Sequence, residues 1–115
     1  MITRKERRIK RAGRARYRLD SSKPRISVFK SSNHIYAQLI EASRVVAQAS
    51  TLDRAIKELK VPTGNVAAAV LVGKMIAEKA LQLNIKQVCF DCSGFKYHGR
   101  IKGLADSARS QGLKI

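Results

Sequence analysis

Apolar residues alternate with polar ones at every second position over residues 25–51, then recur every three or four positions over about 65–83 and again over about 100–111. The first period places side chains on opposite faces of strands, and the second places them on one face of helices. Strands are expected at 25–31, 34–41 and 44–51, with Ile26 and Val28, then Ile35, Ala37 and Leu39, then Val45, Ala47 and Ala49 each on one face. The Ser-Asn and Ala-Ser connections are short, so the three strands form an antiparallel meander. Its other face, with Arg25, Lys30, Tyr36 and Gln38 on it or at its edge, is left to solvent.

Residues 51–60 fit either a short helix or an irregular crossover, closed by Val61-Pro62-Thr63-Gly64. Asn65 then suits the N-cap of the strongest helix in the chain, which runs to about Leu83 and turns Val66, Ala69, Val70, Gly73, Ile76, Ala77 and Ala80 inward. A glycine costs about 1 kcal/mol against alanine in a helix interior, so Gly73 signals a tight approach, expected against the sheet. Asn84 can take the left-handed conformation that ends a helix. Residues 85–91 form a short apolar strand reached by a crossover, hence parallel to a strand of the meander. A last helix from about Arg100 to Gln111 buries Ile101, Leu104, Ala105 and Ala108 and stops at Gly112. The fold class is therefore α/β: a three-stranded antiparallel meander plus a further strand in a mixed sheet, packed by two main helices. At 115 residues the chain fits one domain, with a core that is aliphatic because only three Phe, three Tyr and no Trp are available.

Charge adds what periodicity does not show. The formal net charge is +16, and twelve of the 24 Lys and Arg fall in residues 1–30 against two acids, Glu6 and Asp20. Arg4, Lys5, Arg7, Arg8, Lys10, Arg11, Arg14, Arg16 and Arg18 crowd the first segment, whose apolar stripe of Ile2, Ile9, Ala12, Ala15 and Leu19 is thin. Like charges three and four apart repel, so the segment is expected to fray alone and to become helical once phosphates neutralise it. Such density points to nucleic acid. A solubilising tail, a membrane-surface helix and an organelle transit peptide compete with that reading, but the stripe lacks a Phe, Trp or Leu cluster and the segment is poor in Ser. Asp20-Ser21-Ser22-Lys23-Pro24 is a turn-like linker, which divides a basic extension at 1–20 from a single domain at 21–115. No apolar run approaches the length of a membrane span, so the chain is expected to be soluble and intracellular.

The remaining chemistry lies in Val88 to Ile101, a strand-loop-helix junction that presents Lys96, Tyr97, His98 and Arg100 together. Cys89 and Cys92 make a lone Cys-x-x-Cys: a zinc site lacks its other ligands, and a dithiol of the thioredoxin kind would open a helix rather than sit in a strand. Asp91, Ser93 and His98 supply the residue types of a hydrolase triad without its nucleophile turn. The eight acids are scattered, and no phosphate-binding Gly-Lys-Ser/Thr loop occurs. No enzyme, metal site or cofactor is expected.

Residues 25–40 (RISVFKSSNHIYAQLI), 49–53 (ASTLD), 63–65 (TGN) with 72–74 (VGK), and 90–109 (FDCSGFKYHGRIKGLADSAR) resemble the bacterial-type ribosomal protein eighteen of the large subunit, in order and spacing from about residue 4 onward. The resemblance implies a non-catalytic protein of the cytoplasmic ribosome that binds 5S rRNA, helps attach it to 23S rRNA in the central protuberance and lies beside ribosomal protein five, with no small-molecule substrate and no membrane. It also implies RNA contacts at the basic residues of 4–18, at Arg25, Lys30, Ser31, Asn33, His34 and Tyr36, and at Tyr97, His98 and Arg100. Three departures from the family pattern stand out: Cys92 where Arg is usual, Gly103 for Ala, and Ile115 where Phe is common. A general nucleic-acid-coating protein would use the same charge without choosing an RNA, and a Cys-x-x-Cys redox or metal protein is the third class.

Overall fold

A computed structural model of the chain describes residues 3–17 and 23–115, and the side chains of all of these but 14–17. The element order is α1 (Arg4–Tyr17), β1 (Arg25–Lys30), β2 (Ile35–Glu41), β3 (Arg44–Ser50), α2 (Arg54–Lys57), α3 (Val66–Gln82), β4 (Cys89–Asp91) and α4 (Arg100–Ser110). The α/β class holds: the strands form one mixed sheet in the order β3-β2-β1-β4, antiparallel except that β4 runs parallel to β1. Ile26, Val28, Ile35, Ala37, Leu39 and Ala49 point to one face and are buried under α3 and α4 with Val72, Ile76, Ile101 and Leu104. Residues of the same strands at the alternate positions form a second face that neither of these helices covers.

The helix boundaries follow local chemistry. The Asn65 side chain accepts a hydrogen bond from the Ala68 N–H at 2.9 Å, which satisfies one of the free donors at the start of α3. Asn84, at φ 62°, ends that helix in the left-handed region. Of the two alternatives for 51–60, the short helix forms as α2 and buries Ile56.

Several expectations are corrected in detail. Val66 and Val70 are 46% and 40% exposed, whereas Ala68 and Val72 are buried, because α3 is wedged between the sheet and α4 and its buried arc is turned toward both. Gly73 meets α4, not the sheet: a Cβ there would collide with the Leu104 carbonyl. The fourth strand is only three residues long. Ile85 and Val88 are buried all the same, and Gln87 pairs with Lys114 in an isolated parallel bridge instead of extending the ladder.

The basic N-terminal segment is helical over most of its length. It forms α1 against the domain, with Ala12 only 2% exposed while Ile9 is 52% exposed. Among the described side chains, those that meet the domain are Ala12 and the guanidinium groups of Arg8 and Arg11. The linker positions 20–22, and Ile2 and Leu19 of the stripe, lie outside the described residues.

Candidate nucleic-acid interface

Gly94 sets the position of α1. It has φ 79°, and a Cβ there would collide with the Arg8 carbonyl, so the loop backbone can lie against the helix backbone only with glycine. The approach puts two loop carbonyls within reach of the helix: Arg8 Nη1 donates to Ser93 O at 2.7 Å, and Arg11 Nε donates to Gly94 O at 3.0 Å. Ser93 is held in turn at φ 54° by its N–H, which donates to the Asp91 carboxylate at 2.9 Å, and by its hydroxyl, 3.2 Å from that of Ser27. Asp91 is buried, with Arg25 Nε 4.0 Å from its carboxylate.

Around this junction the open face of the sheet becomes aromatic and cationic. The Arg8 guanidinium lies 4.6 Å from the Phe95 ring centre and 5.2 Å from that of Phe29, and Lys30 Nζ lies 5.5 Å from Phe95. Phe29 is edge-on to Phe95 at 5.6 Å and tilted against Tyr36 at 6.2 Å, and Tyr36 neighbours His34 at 6.5 Å. These contacts are cation–π and aromatic pairs, favourable but compatible with exposure of the ring faces.

The hairpin turn between β1 and β2 is fastened from two sides. Arg100 Nη1 donates to Ser31 O at 2.9 Å, and His34 Nδ1 lies 2.9 Å from the buried Thr51 hydroxyl, which also accepts the Ile35 N–H. The Ser31 hydroxyl accepts the His34 N–H at 3.2 Å. Ser31 and Asn33 stay exposed at the tip.

The expected site residues therefore sort by position. Arg8, Lys30, Ser31, His34, Tyr36 and Arg100 are linked by direct contacts or through the hairpin and the Phe29–Phe95 pair. Arg4, Lys5, Arg7 and Lys10 are exposed along α1. Tyr97 turns elsewhere, edge-on to Phe90 at 6.0 Å and accepting from Arg109 Nη1 at 2.8 Å, and His98 is exposed nearby. Arg25 sits at the other end of β1 beside Asp91. Arg18 lies outside the described residues, and the side chains of Arg14 and Arg16 are likewise not described. Phe29 and Phe95 are the components that sequence reasoning missed. Period-two alternation does put Phe29 on the open face, but an aromatic at such a position reads as ordinary strand chemistry until its neighbours are known.

The Cys-x-x-Cys pair is two free thiols, each half-buried. Burial, and secondarily the adjacent Asp91, push the Cys92 thiol up, the opposite of the activation a nucleophilic or metal-binding cysteine needs. Among the described residues no cluster of three or more His, Cys, Asp or Glu could hold a metal ion, and no helix is long and apolar enough to cross a membrane.

Comparison with known proteins gives one consistent answer. Residues 2–115 match the family model described as ribosomal L18 of archaea, bacteria, mitochondria and chloroplasts. Relatives named large ribosomal subunit protein uL18 are 50% identical: in Pseudomonas entomophila over 118 residues, covering all of both chains, and in Histophilus somni over 117 residues, covering 99% of this chain and all of the other. The relative of that name in Glaesserella parasuis is 50% identical over 111 residues, 94% of this chain and 95% of its own.

Proposed function

We infer the role of this chain from the family to which it belongs, the L18 ribosomal proteins: it is a structural protein of the large subunit in a bacterial-type cytoplasmic ribosome, with ribosomal RNA as its partner and no catalytic role. Its finer role in our reading is to bind 5S rRNA and help attach it to 23S rRNA in the central protuberance, beside ribosomal protein five. Residues 1–20 act as a basic RNA-binding extension on a single domain at 21–115.

The observation that carries this reading is the grouping of Arg8 and Lys30 over the rings of the exposed Phe29 and the half-buried Phe95, next to the Ser31–His34 turn, which Arg100 ties to α4. Phosphate contacts supply affinity and register but carry no sequence information. The cations of α1 and of the hairpin fit that task. The packed domain fixes their spacing, so RNA is chosen by the shape of its backbone, which suits a helical RNA whose deep, narrow groove side chains cannot read.

The test is a titration against 5S rRNA and against tRNA, a folded RNA of similar size, from about 50 to 200 mM salt. The reading expects 5S rRNA to keep a large advantage at the upper end. Equal collapse on both RNAs would reduce the protein to a non-specific phosphate binder of the coating kind.

A further inference from the structure

Two cross-strand pairs on the open sheet face are used only in part by the fold, through the Ser27–Ser93 hydroxyl pair and the contacts of Phe29 with Phe95 and Arg8. Ser27 stands opposite Gln38, and Phe29 stands opposite Tyr36, along the β1–β2 ladder. With Ser31 these four line a depression of about 400 Å³. Phe29 is 45% exposed, although an apolar ring gains by burial. Gln38 is exposed too, and its amide bonds to none of the described residues. At the rim, Arg8 lies against the ring of Phe29, and Lys30 is the next residue along β1.

Each component answers to one part of a nucleotide. The part of Phe29 not covered by Arg8 and the half-buried ring of Tyr36 offer an apolar surface for a flat aromatic ligand, and base-on-ring stacking is tolerant of base identity. The Gln38 amide, with two donor hydrogens and an acceptor oxygen, complements adjacent donor and acceptor groups on a base edge. The rim cations suit a phosphate. A protein partner would match the apolar ring but not the pairing of a free amide with flanking cations.

We propose that this depression holds one unpaired RNA base, stacked on Phe29 and Tyr36, with its edge read by Gln38 and Ser27. The inference rests on the RNA-binding role above and adds to it a site that selects a base. Adenine is preferred to uracil, because its larger ring system covers more of Phe29 and Tyr36 while its N6 and N7 can pair bidentately with the Gln38 amide.

The experiment uses the full chain with end-labelled single-stranded oligo(A) and oligo(U) at about 100 mM salt, with affinity read by anisotropy. Expected results are tighter binding of oligo(A), roughly tenfold loss of oligo(A) binding on Phe29→Leu, and a smaller preference for A over U on Gln38→Ala. Gln38→Glu, which keeps the volume but replaces the NH₂ donors with an acceptor, should also reduce the preference, while Leu83→Ala at the far end of α3 should match the parent chain. Melting temperatures of the variants show that each is folded. If folded Phe29→Leu and Gln38→Ala bind oligo(A) as the parent does, the base site is wrong. That failure is distinct from failure of the wider role, which would appear as no preference of the parent chain for 5S rRNA over tRNA.

Discussion

At the scale of single residues, the tight turn between β2 and β3 carries an avoidable cost. Glu41 and Arg44 pair across it, so Ala42 and Ser43 are its two central residues, and both are left-handed at φ 51° and 65°. A two-residue hairpin of this kind matches the strand twist but asks for Asn or Gly at positions where a Cβ is strained. Replacing Ala42 with Asn and Ser43 with Gly together should stabilise the protein by about 1 kcal/mol, or raise its melting temperature by about 4 °C. Thermal unfolding of the double variant checks this, and no rise would mean that the turn relaxes at no cost. The connection was legible from its length, but its conformation was not, because neither residue belongs to the set that marks such turns. Cys92 shows the converse. Its thiol is suggestive in the sequence, yet burial disfavours the thiolate, and the environment therefore decides against the chemistry that the spacing offers.

At the scale of elements, strong periodicity made most of the fold readable: β1, β2, β3, α3 and α4 lie within a residue or two of their expected bounds. What stayed hidden are contacts between elements distant in the chain. Gly73 announced a close approach, but only the crossing of α3 and α4 identifies the Leu104 carbonyl as its object. The docking of α1 was hidden for the same reason, since among the described residues it uses backbone proximity at Gly94 and the bonds of Arg8 and Arg11. Gly94→Ala should therefore push α1 off the domain while leaving the sheet intact, because the added methyl group meets helix backbone that cannot move aside alone. Trypsin, which cuts at Lys and Arg, should then cleave the α1 segment markedly faster, with a loss of global stability limited to about 1 kcal/mol from the left-handed alanine. An unaltered cleavage rate would show that the helix is held by something other than this contact.

For the molecule as a whole, the question is how +16 charges are divided between holding the fold and reaching a polyanion. Arg8 and Arg11 spend part of their hydrogen-bonding capacity on the Ser93 and Gly94 carbonyls, and Arg100 does the same at the hairpin, whereas Arg4, Lys5, Arg7 and Lys10 project from α1 without that duty. The two groups should fail differently. Changing Arg4, Lys5, Arg7 and Lys10 together to Ala should flatten the dependence of log affinity on log salt by about 0.7–0.9 for each phosphate that is no longer neutralised, with trypsin cleavage elsewhere in the chain unchanged. Arg8→Lys keeps the charge but gives up the planar guanidinium that covers two rings while donating to a carbonyl. It should leave the salt slope nearly intact, free α1 and lower 5S rRNA affinity at every salt concentration by a similar factor. Titrations of both variants from about 50 to 200 mM salt separate the two effects. If Arg8→Lys instead changes the slope as the fourfold variant does, Arg8 acts as one more phosphate ligand, and its place over Phe29 and Phe95 does not matter for binding.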